Sequence, residues 1–146
     1  MYKKKMPIGM VVGRMMHEMF RVLRKRSAET TEVKLTAEQF GLLHVINLKN
    51  ETCVQQDLAN MLGKDKSAIL RLVDSLQEKK LVVRVVDSTD RRKNCLHVTE
   101  FGKEVIQQYI DMEALISKEL TVGISEAEMD TFYKVITTIK TNAEQL

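Results

Sequence analysis

The tightest constraint in this sequence is a pair of helical patterns joined by almost no linker and running straight into a β-branched stretch. Residues 54–63 place Leu58, Met61 and Leu62 on one side of a short helix, and Gly63 suits the left-handed residue just past its end. After a minimal turn, Asp65 is placed to cap a longer helix. Ile69, Leu72, Val73 and Leu76 form that helix's apolar stripe, with Lys79 and Lys80 in its last turn, favourable to the dipole. Residues 81–86 are short and rich in valine, a strand signature. Residues 87–94 then read as a polar turn, and 95–98 as a returning strand. Two helices about a tight glycine turn, followed by a hairpin, predict a winged helix-turn-helix.

The flanking segments are helical. Pro7 sits where a first turn tolerates it, and residues 8–27 can then run as one helix. Val12, Met15, Met19, Val22 and Arg26 recur at spacings of three and four, and Ile8, Met16, Phe20 and Leu23 broaden that face into a core or subunit interface. Thr36 and Gln39 make a capping box for a second helix, after which residues 47–52 read as a loop. Thr99 caps a later helix carrying Val105, Ile106, Tyr109 and Ile110. A second capping box, Ser125 to Glu128, opens a last helix with Met129, Phe132, Tyr133, Ile136 and Ile139. One proline and six glycines leave little to break helices. The expected fold class is therefore mainly α with a small β-hairpin wing (α+β), in one domain spanning 1–146.

Several classes of function are disfavoured. The apolar runs fall far short of the roughly 20 residues needed to span a bilayer, so no membrane role is expected. The basic start lacks the apolar block and cleavage site of a secretion signal, and two distant cysteines suit a reducing cytoplasm. No Gly-rich phosphate loop, Gly-x-Ser-x-Gly elbow or His-Glu-x-x-His helix occurs, so neither an enzyme, a catalytic residue nor a cofactor is expected. No His or Cys cluster has zinc-ligand spacing, so no metal is expected. Cys95 stands beside Arg91, Arg92 and Lys93, which would lower a thiol pKa; redox sensing there is the minor reading, and Cys53 is expected to be buried. His44 is expected to be packed and hydrogen-bonded, and His97 to face solvent or DNA.

The net charge of +3 decides little, but its distribution does. Residues 1–26 carry eight basic side chains against one acidic, and residues 64–93 nine against five. The intervening segment and the C-terminal third are acidic. A DNA major groove about 12 Å wide accepts one helix whose outward side is polar. Lys66, Ser67, Leu70 and Arg71 project away from the apolar stripe and meet that demand. Arg71 has the planar fork for guanine, while Lys64 and Lys66 suit phosphates, as does Gln55 at the start of the helix pair. The hairpin tip, Asp90, Arg91, Arg92 and Lys93, packs three cations onto a turn that can enter a minor groove. Asp90, two residues before Arg92, could pair with it and fix its direction. The expected partner is double-stranded DNA. A helical adaptor and a sequence-tolerant architectural DNA-binding protein are the alternatives.

Residues 56–63 (Gln56-Asp57-Leu58-Ala59-Asn60-Met61-Leu62-Gly63), residues 66–82 and Asp87-Ser88-Thr89-Asp90-Arg91-Arg92 together resemble the multiple-antibiotic-resistance regulator (MarR) family. That family's Asp-x-Arg wing motif, with Leu-Thr further on, is matched by Asp90, Arg92 and Val98-Thr99. The resemblance covers nearly the whole chain. It implies a winged-helix regulator that is a homodimer on a pseudo-palindromic operator. Its helix-turn-helix spans about 54–80, its wing about 82–98, and its dimerisation helices about 8–27 and 99–146. It further implies a recognition helix in the major groove, Arg92 in the minor groove, and repression relieved by a small aromatic or phenolic effector. Arg14 and His17, on the less apolar side of the first helix, are the candidates for that ligand pocket. Two positions depart from the pattern: Lys80 stands where glycine is usual, and Ser88 where proline is frequent.

Overall fold

The computed structural model describes residues 6–49 and 55–146, with the side chains of Gln55 and Gln56 also outside the description. The element order is α1 (Ile8–Thr30), α2 (Ala37–Lys49), α3 (Gln55–Leu62), α4 (Lys66–Glu78), β1 (Val82–Val86), β2 (Asn94–Val98), α5 (Glu100–Leu120) and α6 (Glu126–Ala143). The chain divides into two compact units, Met1–Ala114 and Leu115–Leu146.

In the first unit, the caps read from sequence set the helix starts. Thr36 Oγ1 accepts from the Gln39 amide at 3.2 Å while Gln39 Oε1 accepts from the Thr36 amide at 2.9 Å. Asp65 Oδ1 accepts from the Ala68 amide at 2.7 Å and starts α4. Gly63 ends α3 at φ 58°, in the left-handed region its lack of a Cβ makes cheap. Leu42, Leu43 and Ile46 of α2, Leu58 of α3, and Ile69, Val73 and Leu76 of α4 are buried together with Leu81, Val82 and Leu96 at the hairpin root. Gln39 Nε2 donates to Ser75 Oγ at 2.7 Å, a polar tie between α2 and α4. The hairpin is antiparallel, with Val82 opposite Val98 and Val86 opposite Asn94.

The junction of α4, β1 and α5 is the tightest part of this unit. Leu81 donates its amide to Leu76 carbonyl at 3.0 Å and its own carbonyl accepts from the Thr99 amide at 3.0 Å. Thr99 Oγ1 donates to Lys80 carbonyl at 2.8 Å and accepts from the Gly102 amide at 2.9 Å, which caps α5. A Cβ built on Gly102 would lie 2.3 Å from the Leu81 carbonyl oxygen, so only glycine lets α5 approach this closely. Further along α5, the Tyr109 hydroxyl donates to Val33 carbonyl at 3.0 Å and accepts from the Leu35 amide at 2.8 Å, while its ring stacks on Phe40.

Several expectations change. The first helix runs to Thr30, three residues past Ser27, and only Ser27 of α1 is buried. Met61 is 51% exposed and leaves the apolar stripe of α3, whose burial falls on Leu58 and Ala59. Lys79 and Lys80 lie beyond α4, as its C-cap and the residue after, so neither is in a last helical turn. In the second unit, the Ser125–Glu128 capping box forms as read, with Glu128 Oε2 accepting from the Ser125 amide at 2.8 Å. No residue of α6 is buried.

Candidate nucleic-acid interface

The exposed side of α4 carries Lys66, Ser67, Leu70 and Arg71, opposite buried Ile69, Val73 and Leu76. Asp65 pins the first turn, and Ser67 and Ala68 keep it slim, so the backbone there can approach a partner surface closely. Lys64 behaves differently from its expected role. It is half-buried, and its Nζ is 2.6 Å from Glu38 Oε1 of α2, so its charge is already engaged within the chain. Gln55 opens α3, but its side chain lies outside the described residues. Cys53 and residues 50–52 of the expected loop also lie outside the described residues, whereas 47–49, expected in that loop, are the last residues of α2.

Arg91, Arg92 and Lys93 are exposed at the hairpin tip, and Asp90 is half-buried beneath them. Asp90 Oδ1 accepts from the Arg92 amide at 3.0 Å. This corrects the expected ion pair: the carboxylate fixes the Arg92 backbone and leaves the guanidinium to project. The tip closes through Lys93 amide to Asp90 carbonyl at 2.9 Å and Asp87 amide to Lys93 carbonyl at 3.0 Å.

Asp87, read from sequence only as a turn former, organises the loop. Its Oδ1 accepts from the Thr89 hydroxyl at 2.6 Å, the Thr89 amide at 2.7 Å and the Asp90 amide at 2.9 Å. The Thr89 hydroxyl above all, then the two amides, hold this carboxyl far below the usual range. Its Oδ2 accepts from Cys95 Sγ at 3.6 Å. Burial first, and then Asp87, push the Cys95 thiol up, outweighing the lowering effect of Lys93. The sequence expectation of a lowered thiol pKa is therefore reversed, because burial, and after it the bonded Asp87 carboxylate, outweigh Lys93. Arg84 is a second residue missed from sequence. From β1 it bonds to Asp74 and Gln77 of α4.

The histidines and the candidate pocket residues separate. Arg14 and His17 are both exposed on α1, next to the Glu18–Arg21 ion pair at 2.7 Å. His44 is packed and stacks on Phe40, yet its Nδ1 is buried without a hydrogen-bond partner, contrary to expectation. His97 is half-buried on β2. Among the described residues, no group of three or more His, Cys, Asp or Glu side chains could hold a metal ion, and no helix is long and apolar enough to cross a membrane.

Two α-helices about the Gly63 turn, a strand hairpin with a basic tip, and long helices before and after them in the chain make up a winged helix-turn-helix. Residues 33–93 match the family model for MarR proteins, covering α2 through the wing tip. Residues 33–93 belong to the MarR family. A Thauera aromatica protein described as a transcriptional regulatory protein for the hcr operon is 34% identical to this chain over 106 residues, 73% of the chain. The match spans 63% of that relative's length, under two thirds. Among solved structures, MarR superposes with a TM-score of 0.82 at 22% identity, over 99% of this chain and 96% of MarR. The Staphylococcus aureus MepR–DNA complex gives 0.81 at 20% identity, over 94% and 99%. The repressor CouR bound to a 23-mer duplex gives 0.81 at 23% identity, over 92% of each chain. At these identities the structural matches establish the winged-helix fold with its flanking helices.

Proposed function

We propose that this chain is a cytoplasmic transcriptional regulator of the MarR kind, not an enzyme, that binds double-stranded DNA sequence-specifically as a homodimer on a pseudo-palindromic operator. One observation carries the reading. The exposed face of α4, with Lys66, Ser67, Leu70 and Arg71, is followed at once by a hairpin that projects Arg91, Arg92 and Lys93. The first fits a major groove, and the second a minor groove beside it. Arg71 is assigned base contact, Lys66 phosphate contact and Arg92 the minor groove. Lys64 would reach phosphate only by giving up Glu38. MepR and CouR, which share the fold, are both described on DNA. CouR is a repressor, and repression is the mode proposed here, with a small aromatic or phenolic effector as the releasing signal.

The homodimer rests on α6, where Phe132, Ile136 and Ile139 form an apolar stripe that this chain does not bury. Binding to the duplex upstream of its own gene, measured across a salt series, tests the whole reading. Nanomolar affinity, about 10³-fold or more above random duplex and falling steeply with salt, is expected. Equal binding to all sequences would point instead to an architectural protein, and no binding to an adaptor. Arg92→Ala should weaken binding with the dimer intact. Arg71→Ala should relax base preference, and an unchanged preference would remove Arg71 from the reading set.

A further inference from the structure

Beyond the bonded junction at its root, the hairpin has little to hold its lean. Two strands alone are marginal in water, and Val83, Val85 and Val86 of β1 stay exposed, leaving Val82, Cys95 and Leu96 as the buried apolar residues of the two strands. Arg84 supplies a second attachment. Its Nη1 donates to Gln77 Oε1 at 2.7 Å and its Nη2 to Asp74 Oδ1. Asp74 and Gln77 are three residues apart on α4, so their side chains stand one above the other, and the planar guanidinium fork reaches both. The Arg84 side chain is 24% exposed and that of Asp74 50%. Asp74 also lies three residues after Arg71, next along the same surface row of α4. Unpaired, its carboxylate would repel the phosphates that Arg71 has to approach.

We propose that Arg84 is a positioning residue for sequence reading: clamped by Asp74 and Gln77, it locks the wing to the recognition helix and masks the Asp74 charge. The α4 face and the Arg92 tip then present themselves to DNA as one rigid unit, and the spacing between the two groove contacts becomes part of what is recognised. This rests on the DNA-binding reading above.

The test removes the clamp from the helix side and leaves Arg84 in place. Asp74→Ala with Gln77→Ala puts good helix formers at two exposed positions, so α4 is retained, which circular dichroism checks. A site is first selected from a random duplex pool by the wild-type full chain. On that site the double variant should bind about tenfold more weakly, while random duplex is bound as well as before or better. Arg92→Ala, costly in the wild type, should cost less than about twofold in this background, because an unlocked wing no longer contributes. Reversing the pair, Arg84→Glu with Asp74→Arg, should recover most of the selectivity. Unchanged or tighter binding to the selected site in the double variant would overturn the proposal and make Arg84 a phosphate ligand freed by the change. A full Arg92→Ala penalty in that background would overturn it too. If the wild type selects no site, the DNA-binding reading itself fails, a result distinct from either.

Discussion

Lys80 adopts φ 60°, a conformation in which an L side chain crowds its own backbone and which costs about 1–2 kcal/mol. The surrounding bonds over-determine it. Its amide donates to Gln77 carbonyl at 2.9 Å, and its carbonyl takes the Thr99 hydroxyl at 2.8 Å, so the turn from α4 into β1 cannot relax to suit the side chain. The position therefore calls for glycine on physical grounds, the same residue that the family pattern favours there. Lys80→Gly should raise stability by about 1 kcal/mol, part of the strain relief being offset by the looser unfolded chain. A urea midpoint that rises with an unchanged slope would bear this out; a lower midpoint would mean that Lys80 makes a contact worth more than its strain.

At the scale of elements, the tip of the wing is held by a carboxylate rather than by a core. Asp87 accepts from Thr89 twice and from Asp90 once, and these donors depress its pKa. A depressed folded pKa means that the bonds contribute fully above the unfolded value of about 3.9. The contribution is lost only as pH falls below that value towards the folded one. The wing should thus keep its order through pH 4. In an acid titration followed by NMR, the Thr89 and Asp90 amides should move to disordered positions only well below that pH; a midpoint at or above about 3.9 would sink the assignment. Asp87→Ala should loosen the tip and expose Cys95 to thiol reagents at neutral pH, whereas in the wild type this thiol should react slowly. Local signals made most of these elements legible in the sequence. Capping boxes at Thr36 and Ser125, the Asp65 cap and the Ile69, Val73 and Leu76 stripe depend on neighbours within a turn or two. What escaped was non-local or directional. Glu38 captures Lys64 from 26 residues away. Arg84 meets Asp74 only once the hairpin folds back, and Asp90 was paired with the wrong group of the right residue. Spacing in a single sequence records which residues are near, but not which of their atoms meet.

At the scale of the whole molecule, the proposed homodimer rests on α6, none of whose residues is buried. An 18-residue helix with no fully buried residue gets only part of its ordering cost back from its own chain. Phe132, Ile136 and Ile139 follow at spacings of four and three, and they are 41%, 36% and 41% exposed, a stripe half-covered along its length. The simplest occupant is the same stripe of a second copy, since a two-fold interface is self-complementary and a palindromic operator would need that symmetry. Each large apolar side chain so buried contributes roughly 1.5–3 kcal/mol, and a two-fold axis counts each residue twice. Phe132→Glu with Ile136→Glu should therefore weaken the dimer by well over about a hundredfold, even if half that burial is lost. The helix itself should survive, because neither residue is buried in its own chain. Sedimentation at micromolar concentration should show a monomer with wild-type helicity, and binding to the selected duplex should fall with it, since two half-sites then have to be engaged separately. A variant that stays dimeric would move the interface elsewhere. A monomer that still binds the selected site at full affinity would show that one wing and one recognition helix suffice.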